Sequence, residues 1–175
     1  MVLTLREELA YLAGVMDADG CFALSKYRTG IRGQFGLEVL VVIIQEQPEA
    51  LHMLAARFGG TVRYESKPRG PLAKRRLYQW KRTGEAAVCV CVTLHPFLLL
   101  KRRQAEILIA AQDEINDLFG NRVLGPPRAS RYPDGRLVRR YQISDESLAR
   151  RQAWLREMRS LNASKYRVSD QVVSK

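Results

Sequence analysis

The chain has little nitrogen or sulfur with which to build a metal or nucleophilic site: two histidines and three cysteines in 175 residues. A histidine-bound metal nuclease or a Ser-His-Asp hydrolase would have almost nothing to work with. His52 lies in an apolar helical stretch and His95 stands before Pro96 at a helix start, so both read as structural. Cys21, Cys89 and Cys91 are odd in number and lack a CxxC spacing; they read as buried thiols, not as zinc ligands or a disulfide pair. No apolar run reaches the roughly 18 residues of a membrane-spanning helix, and no secretory or organellar leader is legible before the first helical stretch. A soluble intracellular protein is expected. Acidic groups are also few: 18 Asp and Glu against 29 Lys and Arg leave a formal charge of +11, which favours a polyanionic partner or an acidic membrane surface. The length suits one domain with a sizeable core.

What is present is concentrated near the N-terminus. Thr4-Leu5-Arg6-Glu7 is a capping box that opens a helix. Leu9, Leu12, Ala13 and Met16 recur on one apolar face. Ala10 and Gly14, four residues apart, would let a second helix approach with its backbone close. The helix must stop at Gly20, just after two carboxylates one residue apart, Asp17 and Asp19. Two such helices packed together would bring two Asp clusters to one point.

Beyond it, residues 21–28 and 34–45 read as a hairpin, with the second arm dense in β-branched residues. Pro48 opens a helix through Phe58, which Gly59-Gly60 ends. A second hairpin has arms at about 61–67 and 75–82 around Pro68-Arg69-Gly70-Pro71. It carries eight basic side chains against one acid, Glu65, over residues 61–82. Tyr78 and Trp80 alternate with Gln79 and Lys81, so one face can pack while the other meets phosphates and bases. Helices follow at 84–94 and 96–119, the second with Leu99, Leu100, Ile107, Leu108, Ala111, Ile115 and Leu118 as core candidates. A basic stretch runs from Gly125 to about Ile143, and Ser144 or Asp145 caps a last helix through about Leu161. Hairpins without crossovers argue an α+β fold: an antiparallel sheet with helices on one face. Basic residues on hairpins, not along one amphipathic helix, disfavour the membrane-surface reading.

Leu12-Ala13-Gly14 and Asp17-Ala18-Asp19-Gly20 resemble the signature of the LAGLIDADG homing endonucleases, which are intron- or intein-encoded. The element order is similar to that family's αββαββα core, whose four-stranded antiparallel sheet forms a saddle in the DNA major groove. Leu94-His95-Pro96-Phe97-Leu98 followed by Leu100-Lys101-Arg102-Arg103-Gln104-Ala105 resembles the segment that supplies a basic residue beside the metal site. Leu161-Asn162-Ala163-Ser164-Lys165 with Arg167 resembles a C-terminal loop that grips the DNA backbone. Pro48-Glu49 departs from relatives that place a basic residue there; Arg63 or Arg82 could substitute. Residues 120–143 look like an insertion.

The resemblance implies a site-specific, divalent-metal-dependent DNA endonuclease in one domain spanning residues 1–175. Asp19 and the Ala18 carbonyl would bind Mg²⁺, with Mn²⁺ as a substitute and Ca²⁺ as a non-catalytic one. Gln45 would orient water, Lys101 would stabilise phosphorane charge, and Asp17 would brace the helix end. The DNA-facing set would be Ser25, Tyr27, Glu38, Arg63, Glu65, Lys67, Arg75, Gln79 and Lys81 on the sheet, with Ser164, Lys165 and Arg167 on the backbone loop. A single signature implies a homodimer through Ala10, Ala13 and Gly14 and a pseudo-palindromic double-stranded target. The rival reading is an RNA maturase or a non-cleaving DNA-binding protein of the same fold.

Overall fold

The computed structural model describes residues 3–29, 34–65, 77–120 and 143–172. The elements are α1 (Leu5–Ala18), β1 (Cys21–Arg28), β2 (Phe35–Gln45), α2 (Glu49–Phe58), β3 (Arg63–Glu65), β4 (Leu77–Thr83), α3 (Gly84–Leu94), a 3₁₀ turn (His95–Phe97), α4 (Arg102–Gly120) and α5 (Asp145–Val172). The sheet order is β1-β2-β4-β3, and β4 pairs antiparallel with both β2 and β3. This is the α+β, αββαββα arrangement expected. The chain forms two compact units, residues 1–23 with 39–110 and residues 24–38 with 111–175. No helix among the described residues is long and apolar enough to cross a membrane.

In the first unit, burial along β2 alternates: Val39, Val41 and Ile43 are buried while Leu40, Val42 and Ile44 are half-buried. The buried set joins Leu12, Met16, Phe22, Leu51, Leu54, Trp80, Leu94, Leu98 and Leu108 in a core where each large side chain contributes about 1.5–3 kcal/mol. Trp80 is fixed at both ends, its indole N–H donating to the Gly59 carbonyl at 3.0 Å and its ring 6.4 Å from that of Phe58. Gly59 and Gly60 lie at φ +71° and +90°, the left-handed region that only glycine enters freely. Arg82 packs into that corner.

In the second unit Phe35, Leu37 and Leu155 form a core with Leu24, Ile115, Leu148 and Trp154 against it. Arg151 is the polar tie of this unit. It is 4% exposed and donates to Glu114 Oε1 at 2.7 Å and to the Phe35 carbonyl at 3.2 Å, while Ser147 also donates to Glu114.

Several local expectations change. Pro96 opens only a 3₁₀ turn, and α4 begins at Arg102. Leu99 and Leu100 are therefore not core; they are 82% and 74% exposed. The last helix runs on to Val172, so residues 161–167 are helical, not a loop. Of the three thiols only Cys91 is buried, and that burial pushes its pKa up to about 12; Cys21 and Cys89 are exposed.

Candidate functional site

Helix α1 opens on the capping box expected from its sequence: Glu7 accepts from the Thr4 backbone N–H at 2.8 Å, and Thr4 Oγ1 accepts from Glu7 N–H at 3.4 Å. The Thr4 backbone N–H first, and then the Thr4 hydroxyl, which donates to Glu7 Oε2 at 2.7 Å, hold the Glu7 carboxyl below its ordinary value. At the other end Gly20 is required for closeness, not for a left-handed turn. A Cβ there would collide with Met16 Cε and lie 2.7 Å from the Met16 carbonyl oxygen.

The two aspartates at this end point opposite ways. Asp17 is buried, 6% exposed, and its carboxylate accepts the backbone N–H groups of Leu99 at 2.7 Å and Lys101 at 2.9 Å. It braces a helix end, but the end is that of α4 and not its own. This also explains why α4 starts late: the backbone at Leu99 and Lys101 is bonded to Asp17 and not to a preceding turn. Lys101, 2% exposed, sends its ammonium back to the Met16 and Gly20 carbonyls, each at 2.5 Å. A cation on the last carbonyls of α1 is the favourable pole of the helix dipole. The described geometry thus gives Lys101 a helix-capping role.

Asp19 is exposed, and its Oδ2 accepts from Gln45 Nε2 at 2.8 Å. Two residues from separate elements, both expected at the site, therefore touch. They line a cleft of about 480 Å³ together with Tyr11, Val15, Ile44, Glu46, Gln47, Glu49, Ala50 and Leu77. Tyr11 and Glu46 have no sequence signal that singles them out. Glu49 belongs to the Pro48-Glu49 segment that departs from the resembled pattern.

The donor set at this cleft is oxygen, which suits hard cations such as Mg²⁺, Mn²⁺ or Ca²⁺ and not zinc. Among the described residues no group of three His, Cys, Asp or Glu side chains could hold a metal ion. Asp19, exposed at the end of α1, offers a carboxylate donor of that kind.

On the sheet, register places Arg63 directly across from Gln79, Gln79 from Ile44, and Lys81 from Val42. Paired residues share a face, so Arg63, Gln79 and Lys81 lie together on the face opposite Trp80. Glu65 belongs to β3, while Lys67 and Arg75 fall outside the described residues. In the second unit Ser25 and Tyr27 are exposed on β1 and Glu38 on β2, and the Tyr27 ring lies over Gly36. Ser164, Lys165 and Arg167 lie on the helical backbone of α5. On α1, Ala10 and Gly14 are exposed, and a Cβ at Gly14 would meet nothing within 4 Å. Ala13 is wholly buried in the core of its own unit and is absent from that open face.

Comparison with solved structures decides the fold. The chain superposes on the homing endonuclease I-CvuI in complex with a DNA target with TM-score 0.52 and 24% identity, over 65% of this chain and 70% of that one. The I-LtrWI LAGLIDADG homing endonuclease bound to target DNA gives 0.53 and 14%, over 88% and 58%. The intron-encoded homing endonuclease I-CeuI complexed with DNA gives 0.52 and 11%, over 69% and 61%. The fold is that of the LAGLIDADG homing endonucleases. No protein-family model matches the chain, and no curated protein does. In this fold α1 ends beside the last residue of β2, where Asp19 and Gln45 meet.

Proposed function

We propose that the protein is a site-specific DNA endonuclease that works as a homodimer through α1 and hydrolyses phosphodiesters with Mg²⁺. The observation that carries this reading is the Asp19–Gln45 contact in an open cleft. It is a solvated carboxylate at a helix end, oriented by an amide, in a chain of charge +11. Bound there, a divalent ion would supply an activated water and neutralise charge on the attacking and leaving oxygens. Asp19 and the Ala18 carbonyl would hold it, with the same pair from a second copy completing the set. The Gln45 amide fixes one Asp19 oxygen and so orients the other. Lys101 keeps the α1 terminus in place by bonding Met16 and Gly20, which positions Asp19 two residues from the buried Asp17 anchor.

Arg63, Gln79 and Lys81 would face the major groove, and exposed Leu99 and Leu100 beside the α1 terminus would supply apolar surface for a second copy to cover. The two-fold axis then requires a pseudo-palindromic target. The test is a selection of cleaved sequences from a random double-stranded library with Mg²⁺. Recovery of one long, near-symmetric site is expected. Tight binding of RNA or DNA without any strand scission would replace this reading with the maturase or binding-protein one.

A further inference from the structure

Strand β2 is apolar on both faces, which a sheet with one solvated face does not ordinarily carry. Leu40, Val42 and Ile44 alternate with the buried Val39, Val41 and Ile43 and sit half-buried on the open side. Register sets Leu40 across from Thr83, Val42 from Lys81, and Ile44 from Gln79, with Arg63 next in the same row. The open face is therefore an aliphatic stripe edged by an amide and two cations. At one end of the stripe Ile44 and Leu77 enter the cleft of Asp19 and Gln45. Three adjacent aliphatic side chains on an open face ask for an occupant. The flanking cations and the net charge of +11 favour an anionic partner, and their place on strands and not along one amphipathic helix favours a nucleic acid over a lipid surface. In the major groove of duplex DNA the apolar group on a base edge is the thymine C5 methyl, and an aliphatic side chain has no hydrogen bond to offer any other edge.

We propose that Leu40, Val42 and Ile44 read thymine methyl groups, so that the target carries thymines along the track of β2. The inference rests on the reading that this sheet face docks on duplex DNA. The Ile44–Gln79 pair suits a T·A base pair in particular. Ile44 meets the methyl while the amide opposite it matches the adenine N6 and N7 positions, the pairing for which glutamine is fitted.

The experiment selects bound duplexes from a random library with the full chain, scoring binding without a requirement for cutting. Each thymine of the selected sequence is then replaced by deoxyuridine, which removes the methyl and keeps base pairing. At positions under β2 the Kd should rise about fourfold per methyl, the ratio that burying one methylene supports, and at other positions it should stay unchanged. Where cytosine in place of thymine weakens binding, 5-methylcytosine should restore part of it. Val42→Ser, which removes both side-chain methyl groups, should lose the thymine preference at one position, with the urea midpoint checking that the fold is kept. Retained affinity at every deoxyuridine substitution, with the selected sequence still bound and cut, overturns the methyl readout and leaves the endonuclease reading standing. Failure of any sequence to emerge from the selection overturns both.

Discussion

Asp17 and Lys101 hold each other's helix ends. The Asp17 carboxylate accepts the Lys101 backbone N–H at 2.9 Å, and the Lys101 ammonium donates to the carbonyl of Met16, the residue before Asp17, at 2.5 Å. The C-terminus of α1 and the N-terminus of α4 are thereby tied in both directions, and the tie lies just beneath the exposed Asp19.

Removing one half of this tie should be expensive. Asp17→Ala leaves two N–H groups without their acceptor, at about 1–3 kcal/mol for each buried one. We expect a loss of about 2–4 kcal/mol in urea denaturation followed by tryptophan fluorescence in a Trp154→Phe background, with Asp17→Asn losing less. A change under about 0.5 kcal/mol would mean that water replaces the carboxylate freely.

Asp19→Asn should separate binding from cutting. The amide is a poor ligand for a hard cation, while the fold loses no buried contact, since Asp19 is exposed. Plasmid cleavage with Mg²⁺ should vanish and gel-shift affinity should persist. Cleavage near the unsubstituted rate would remove Asp19 from the site.

Gly14→Leu probes assembly cleanly because the space beside Gly14 is open within one chain. The substitution should leave the monomer as stable or raise its helix propensity by about 0.5–1 kcal/mol. If α1 pairs with its copy, the added side chain should shift sedimentation from dimer to monomer and abolish cutting. An unchanged dimer would place the contact elsewhere.

Arg63 and Lys81 should act through phosphate or base contacts, not through the fold, since both are exposed. Losing a phosphate contact should lower the slope of log affinity against log salt by about 0.9; losing a base contact should relax one target position at about 1–3 kcal/mol. Titrations of Arg63→Ala and Lys81→Ala over a salt series distinguish the two. No effect on affinity, slope or base preference would disprove the reading face.

Cys91 should resist alkylation in the native state at pH 8 while Cys21 and Cys89 react. Its thiol is raised from 9.0 to about 12 by burial, so the folded chain holds that proton after the unfolded chain has released it. The stability it contributes is complete below about pH 9 and is lost as pH rises towards 12. Cys91→Ala should therefore flatten the alkaline fall in urea midpoint between pH 8 and pH 10.5.

The parts of this fold with a local cause are legible in the sequence. Thr4 and Glu7 announce the start of α1 because a capping box is complete within four residues, and β2 announces itself by its density of branched side chains. What the sequence hides are the contacts between distant segments. Leu99 and Leu100 look like core because apolar density says nothing of the carboxylate 82 residues away that bonds the backbone beside them. Lys101 is legible as a basic residue beside Arg102 and Arg103, but its bonds to Met16 and Gly20 emerge only with the fold. Ala13 and Gly14 are adjacent in the signature, yet one faces the core and the other the open side, a distinction set by helical phase. The apolar residues of β2 are legible as a strand, but that their alternate members face outward follows from the register with β4.

The chain has two tryptophans, and each of its compact units holds one: Trp80 wedged against Gly59 and Phe58, Trp154 against the Phe35–Leu155 cluster. Each unit thus carries its own fluorophore. Trp80→Phe and Trp154→Phe, used singly, would turn one melting experiment into two optical channels, one reporting the unit that carries Asp19 and the other the unit held by Arg151.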